Sequence, residues 1–186
     1  RRHSSGPHGW MMACFVCPAG RLVELAPLLG RAEETHTPLR LAVLGRGGDT
    51  LSSFVAGIES DLIARDSFSA AHGDRVILEQ LERRRPGAPG ELEEALATHT
   101  DRLEAIAQAP FPFLEVSLLD GWRERLPAAT EALAKSARSG RPAGLKIRCG
   151  GLDATAIPST AAITAAIAAC SRAALPLKAT QGLHHT

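Results

Sequence analysis

Apolar segments of strand length alternate with helical segments along the whole chain, at a repeat of roughly 30-odd residues. Three consecutive strands near the C-terminal end carry apolar residues on one face and polar residues on the other. Together these features predict an α/β fold with a single parallel sheet made by right-handed crossovers. The expected architecture is a partial or complete TIM-type (β/α) barrel. Six strands and five helices are visible, and eight units at this repeat would need about 250 residues. The 186 residues therefore read as a single (β/α) barrel-type domain lacking terminal units.

The elements follow in order. A short apolar strand is expected at 13–17. Residues 20–31 place Leu22, Leu25, Leu28 and Leu29 at helical spacing. The strand at 39–44 closes on Gly45-Arg46-Gly47-Gly48, and Asp49 or Thr50 can cap the helix carrying Leu51, Phe54, Val55, Ile58 and Leu62. A strand at 75–81 runs towards the Pro86-Gly87-Ala88-Pro89-Gly90 loop. Residues 91–108 form a helix with Leu92, Leu96, Leu103 and Ile106 on one side. A strand at 113–119 and a helix at 126–137 come next. The strand at 144–149 precedes a helix capped by Ser159 that ends at Ala174, and the last strand spans 176–180.

Composition narrows the function classes. The chain is 45% hydrophobic and 22% charged, which excludes a disordered chain or a fibre. Its net charge is +1 and no basic face stands out, so no nucleic-acid partner is expected. No apolar run reaches the 18 or so residues of a membrane span; residues 157–170 read as a buried Ala-rich helix. No signal peptide is apparent, and a cytoplasmic setting is expected. The chain starts at Arg1 without a methionine, and reads as processed, as a fragment or as the ordered part of something longer. Four cysteines are too few for a disulfide scaffold. Cys14 and Cys17 form a lone CxxC within a strand, where packing thiols are expected before a redox pair or a zinc site.

The chemistry concentrates in the last two strands. Leu145-Lys146-Ile147-Arg148-Cys149-Gly150 and Leu177-Lys178-Ala179-Thr180-Gln181-Gly182 share the pattern L-K-x-x-x-G. The chain has only three lysines among twenty-one basic residues, and two of them hold equivalent positions here. Arginine stays protonated and cannot form an imine; a lysine can, if burial or a nearby cation lowers its pKa. Lys146 is expected to attack a carbonyl, with Lys178 lowering its pKa. Glu115 on the preceding strand faces the same side and can carry protons, with His184. Arg148, Thr180, His185 and the backbone at Gly150, Gly151 and Gly182 are expected to bind an anionic substrate.

Other readings stand beside this one. Lys146, Lys178 and Glu115 can equally form an ion-pair network that only fills a barrel. Glu79 is placed on a strand face with Ile77 and Leu81, where it can be structural or a ligand. His184 and His185 can be ordinary loop residues. Arg83-Arg84-Arg85 reads as a solvated run, or else a phosphate grip. A metal-dependent lyase or isomerase would use Glu79, Glu115, His184 and His185 around a divalent ion. A non-catalytic module would associate through open sheet edges, giving a homo-oligomer.

The stretches around Phe15-Val16-Cys17-Pro18-Ala19-Gly20-Arg21-Leu22, Lys146-Ile147-Arg148-Cys149-Gly150-Gly151 and Lys178-Ala179-Thr180-Gln181-Gly182-Leu183-His184-His185 resemble an uncharacterised, largely actinobacterial family with KxRxGG and FKATAGLHH-type motifs. The resemblance runs the length of the chain. Its members extend beyond both ends, which implies the middle of a (β/α)8 barrel; it marks a site without naming a reaction. In arrangement the two lysines also resemble those of deoxyribose-phosphate aldolases, on strands six and seven of the barrel, each followed by glycines. The sequence around the aldolase lysine is not reproduced, since Arg148-Cys149 stands where small hydroxyl residues are expected. The combined expectation is a lyase, aldolase-like, that forms a lysine Schiff base with a small anionic carbonyl compound and needs no cofactor.

Overall fold

A computed structural model of the chain describes residues 13–30, 38–86, 89–106 and 109–181. The strands are β1 (Phe15–Pro18), β2 (Leu39–Leu44), β3 (Val76–Arg84), β4 (Phe111–Glu115), β5 (Gly144–Arg148) and β6 (Leu177–Thr180). Between them lie α1 (Leu22–Gly30), α2 (Leu51–His72), α3 (Leu92–Glu104), α4 (Trp122–Arg138) and α5 (Thr160–Arg172). All five strand pairs are parallel and the spatial order is β1-β2-β3-β4-β5-β6. Because the order never reverses, right-handed crossovers put every helix on the same side of the sheet. This is the barrel branch of the α/β class, and the six strands form a curled half-barrel. A flat sheet would hold β3 and β6 about 14 Å apart. Across that gap Lys178 Nζ on β6 meets Glu82 Oε1 on β3 at 2.5 Å, so the sheet is folded towards its helix-free face.

The core lies between the outer face of the sheet and the helices. Leu114, Leu145 and Ile147 pack against Leu92, Leu96, Leu126, Leu133, Ala162, Ala166 and Cys170 from α3, α4 and α5. Cys17, Leu41, Val43, Leu78 and Leu81 pack against Leu22, Leu29, Phe68 and Leu103. The expected caps are present. Thr50 accepts from the Ser53 N–H in a reciprocal capping box, and Ser159 accepts from Ala162 N at 3.2 Å. The apolar stretch Ala154–Arg172 is by composition and length able to cross a membrane. Its α-helical part, α5, is only about 20 Å long, and it begins beyond Ile157 and buries one face on the core.

The largest departure from the sequence reading is in β3. The strand continues to Arg84 rather than stopping at Leu81. A bulge lies opposite Leu41 and Ala42, so that Leu41 pairs with Leu78 but Ala42 pairs with Gln80. Leu78 and Leu81 both face the helices, while Glu79 and Gln80 both turn to the inner face. Glu79 and Leu81 therefore lie on opposite faces, contrary to strict alternation. Beyond the bulge, Glu82 points inward and Arg83 outward.

Arg83 does not belong to a solvated run. It is 1% exposed and forms an ion pair with buried Asp61 of α2 at 2.8 Å. Its Nη1 donates to the Arg46 carbonyl at 2.5 Å, and the guanidinium sits 5.6 Å from the Phe54 ring centroid. Asp61 also accepts from the Arg46 N–H at 2.7 Å and from its side chain at 2.5 Å, fixing the turn after β2. A Cβ at Gly45 would stand 2.8 Å from both the Arg83 guanidinium and the Asp61 carboxylate, so that position needs glycine. Arg84 does reach the surface, paired with Asp49 at 2.9 Å, and Arg85 is half-buried.

Two outcomes follow from this buried cluster. Asp61→Asn should cost roughly 3 to 5 kcal/mol in urea unfolding, because it leaves Arg83 charged and unpaired in the core; a loss under 1 kcal/mol would contradict the pairing. His99 is also buried, edge-on to Phe54, and burial followed by the Arg83 charge pushes its pKa from 6.5 down to about 3. The folded protein holds His99 neutral, and the unfolded chain protonates it below 6.5. Stability should therefore be full above pH 6.5 and fall as pH drops towards 3, by on the order of 5 kcal/mol from this group. Comparing stability against pH for the wild type and His99→Gln isolates the effect; parallel curves between pH 6.5 and 3 would refute it.

Candidate functional site

The inner face of the half-barrel carries the candidate site. On β5, Leu145 and Ile147 enter the helix-side core, which turns Lys146 and Arg148 inward. Register pairs Lys146 with Lys178 and Arg148 with Thr180, so the two strands present matching residues side by side. Glu115 ends β4 directly opposite Lys146. The expected grouping of Lys146, Lys178 and Glu115 is thus present, with Arg148 and Thr180 beside it.

Glu82 holds the group together. Lys146 Nζ lies 2.7 Å from Glu82 Oε2 and 2.8 Å from Glu115 Oε2. Lys178 Nζ lies 2.5 Å from Glu82 Oε1 and also donates to Gln80 Oε1. One carboxylate therefore bridges two ammonium groups, and Glu115 supplies the second negative charge. The side chain of Glu82 is 1% exposed, that of Lys146 7% and that of Lys178 20%. The two lysines face each other as expected, and carboxylates stand within ion-pair distance of both. Glu82 escaped the sequence reading because β3 was expected to end one residue before it, and Gln80 because strict alternation puts it on the face opposite Glu79. No local signal marks the bulge that turns them inward.

Phe113 completes the floor. Its ring lies 5.7 Å from Lys178 Nζ and 5.2 Å from the Phe111 ring. Gly144 makes room for it, because a Cβ there would approach the ring to 2.4 Å. At the other end of the face, Arg148 donates to Gln181 Oε1 at 2.8 and 3.2 Å. Among the described residues of this face, Arg148 is the cation that meets no carboxylate. Thr180 Oγ1 donates to the Ile147 carbonyl at 3.4 Å. Gly150 is buried, and Gly151 packs against Ala156 with no space for a side chain. Gly182, His184 and His185 lie outside the described residues.

Among the described residues, the groups considered for metal or redox chemistry are dispersed. Arg84, not Glu79, pairs in register with Glu115, so Glu79 stands five residues back along β3, about 16 Å away. Glu79 instead bonds Arg40 and accepts from the Cys14 thiol at 2.8 Å. The Cys14 hydrogen bond, with Arg40, holds the Glu79 carboxyl below its ordinary range. Burial, reinforced by Glu79, pushes the Cys14 thiol up to about 11. Cys14 faces inward and Cys17 is packed under the helices, so the CxxC thiols do not meet. Among the described residues no cluster of three His, Cys, Asp or Glu side chains could hold a metal ion.

The bridge makes Glu82 the critical carboxylate. Glu82→Gln should lower stability by roughly 3 to 5 kcal/mol, because two sequestered ammonium groups lose their shared counter-ion. Glu115→Gln, at a more accessible position, should cost clearly less. Equal losses in thermal or urea unfolding would show that the bridge is not the organising contact.

Comparison of the chain with protein-family models, curated proteins and solved structures returns no match.

Proposed function

We propose that the protein is an aldolase-like lyase that forms an imine between an amine of the Lys146–Lys178 pair and a small carbonyl compound bearing an anionic group. The observation that carries this reading is Glu82, bound to both amines, with Glu115 on Lys146. An imine needs an unprotonated amine, and these carboxylates are positioned to take its proton. Nζ then adds to the carbonyl carbon, and the carbinolamine loses its oxygen as water on receiving a proton from the same carboxyl group. The iminium accepts the electron pair of the breaking Cα–Cβ bond and becomes an enamine, while the β-hydroxyl gives its proton to a carboxylate and the β-carbon leaves as an aldehyde. Protonation of the enamine and hydrolysis return the free lysine. No cofactor enters the sequence.

The anionic group follows from charge. Lys146, Lys178 and Arg40 meet carboxylates, whereas Arg148 offers its guanidinium to Gln181 alone among the described residues. It is the natural partner for a carboxylate or phosphate, with Thr180 beside it. The four free thiols suit a cytoplasmic setting. Among the described residues β1 and β6 are the edges of the sheet, which suits association with a second copy.

Borohydride trapping tests the reading. Incubation with small aldehydes and oxo acids, reduction and peptide mapping should yield an adduct on Lys146 or Lys178 and none on Lys135. Replacing both lysines by arginine keeps the charges and should abolish trapping. Absence of any adduct on Lys146 or Lys178 across the panel would leave the network as a structural filling of the barrel.

A further inference from the structure

The inner face also holds a wide cavity open to solvent. It lies towards the starts of β3, β4 and β6, where Ile77, Phe111, Phe113 and Pro176 form an apolar shelf. Ligand sites commonly have such a mainly apolar lining, with a few polar groups that fix orientation. Ile77 is 42% exposed, an apolar side chain left uncovered two residues from the Glu79–Arg40 ion pair. Glu79, at the rim, is already bonded to Arg40 and Cys14, so it presents no free charge to the cavity.

The two lysines differ in their relation to this space. Lys178 touches two of its walls: it donates to Gln80, and its ammonium stands over the Phe113 ring. Lys146 is held between Glu82 and Glu115 and is the less exposed of the two. We infer that Lys178 is the amine presented to substrate, and that the shelf selects carbonyl compounds carrying an aromatic or branched apolar group. Lys146 then acts as the cation that holds Glu82 and Glu115 in place. A substrate with its carbonyl at Lys178 puts its apolar group on Phe111, Phe113 and Ile77. Its anionic group lies towards Arg148, nearer the ends of β5 and β6. This inference rests on the imine reading above and assigns its nucleophile and substrate class.

A matched pair of 2-oxo acids provides the test, since 2-oxobutanoate and 4-phenyl-2-oxobutanoate differ only in the phenyl group. Each is incubated with the protein, reduced with borohydride and mapped, with small aldehydes run alongside. The expected result is an adduct on Lys178, formed about tenfold or more faster with the phenyl compound. Ile77→Ser and Phe111→Ala should each reduce that preference several-fold. The wild-type ratio stands on its own if either variant fails to fold. Equal rates for the two acids at Lys178 would overturn the substrate class. An adduct on Lys146 would overturn the assignment of the nucleophile, and adducts from the small aldehydes alone would overturn the substrate class; either leaves the imine reading intact. No adduct from any compound would overturn both.

Discussion

Glu82 is the charge around which the inner face is organised. It reaches from β3 to lysines on β5 and β6, across strands that a flat sheet would hold well apart. Placing a carboxylate almost wholly out of water is costly unless it is paired, and here two ammonium groups pair it. The pairing and the curl of the sheet require each other. Without the curl the side chains could not meet, and without the pairing the charges could not be sequestered. The same contact gathers the residues proposed to carry the chemistry.

The bulge in β3 distributes this burden over both faces. One extra residue sends Gln80 and Glu82 inward and brings Leu81 and Arg83 onto the helix side. Consecutive residues Glu82 and Arg83 are both buried, and each finds its counter-charge on a different element. Glu82 ties β3 to β5 and β6. Arg83 ties β3 to α2 through Asp61, which also fixes the turn after β2. The segment 82–83 is therefore where the inner site and the outer helical layer are joined.

The site sits between two different environments. Towards the strand ends lies Arg148, which meets no carboxylate among the described residues; towards the strand starts lies the phenylalanine shelf. Lys178 stands between them, with one carboxylate and one aromatic ring as neighbours. A group that must exchange protons and also contact an apolar substrate needs a neighbour of each kind, and the curled sheet brings both to one amine. Gly144 belongs to this arrangement because it leaves room for the Phe113 ring beside the neighbouring strand.

The sequence by itself determined the α/β class, the alternation of elements and the inward face of the last two strands. Apolar periodicity and caps are local properties, and Thr50, Ser159, Lys146 and Lys178 could be read from neighbours a few residues away. Glu115 was legible for the same reason, since alternation along β4 fixed its side. Only the tertiary structure decided the roles of Glu82, Arg83 and Gln80, because a bulge is set by pairing with a strand more than thirty residues distant. The register likewise separated Glu79 from Glu115, which the sequence could place together only as residue types. A burial pattern within one strand can be seen in a string of letters. A counter-charge supplied by another element depends on the curvature of the whole sheet, and that is a property of the folded chain alone.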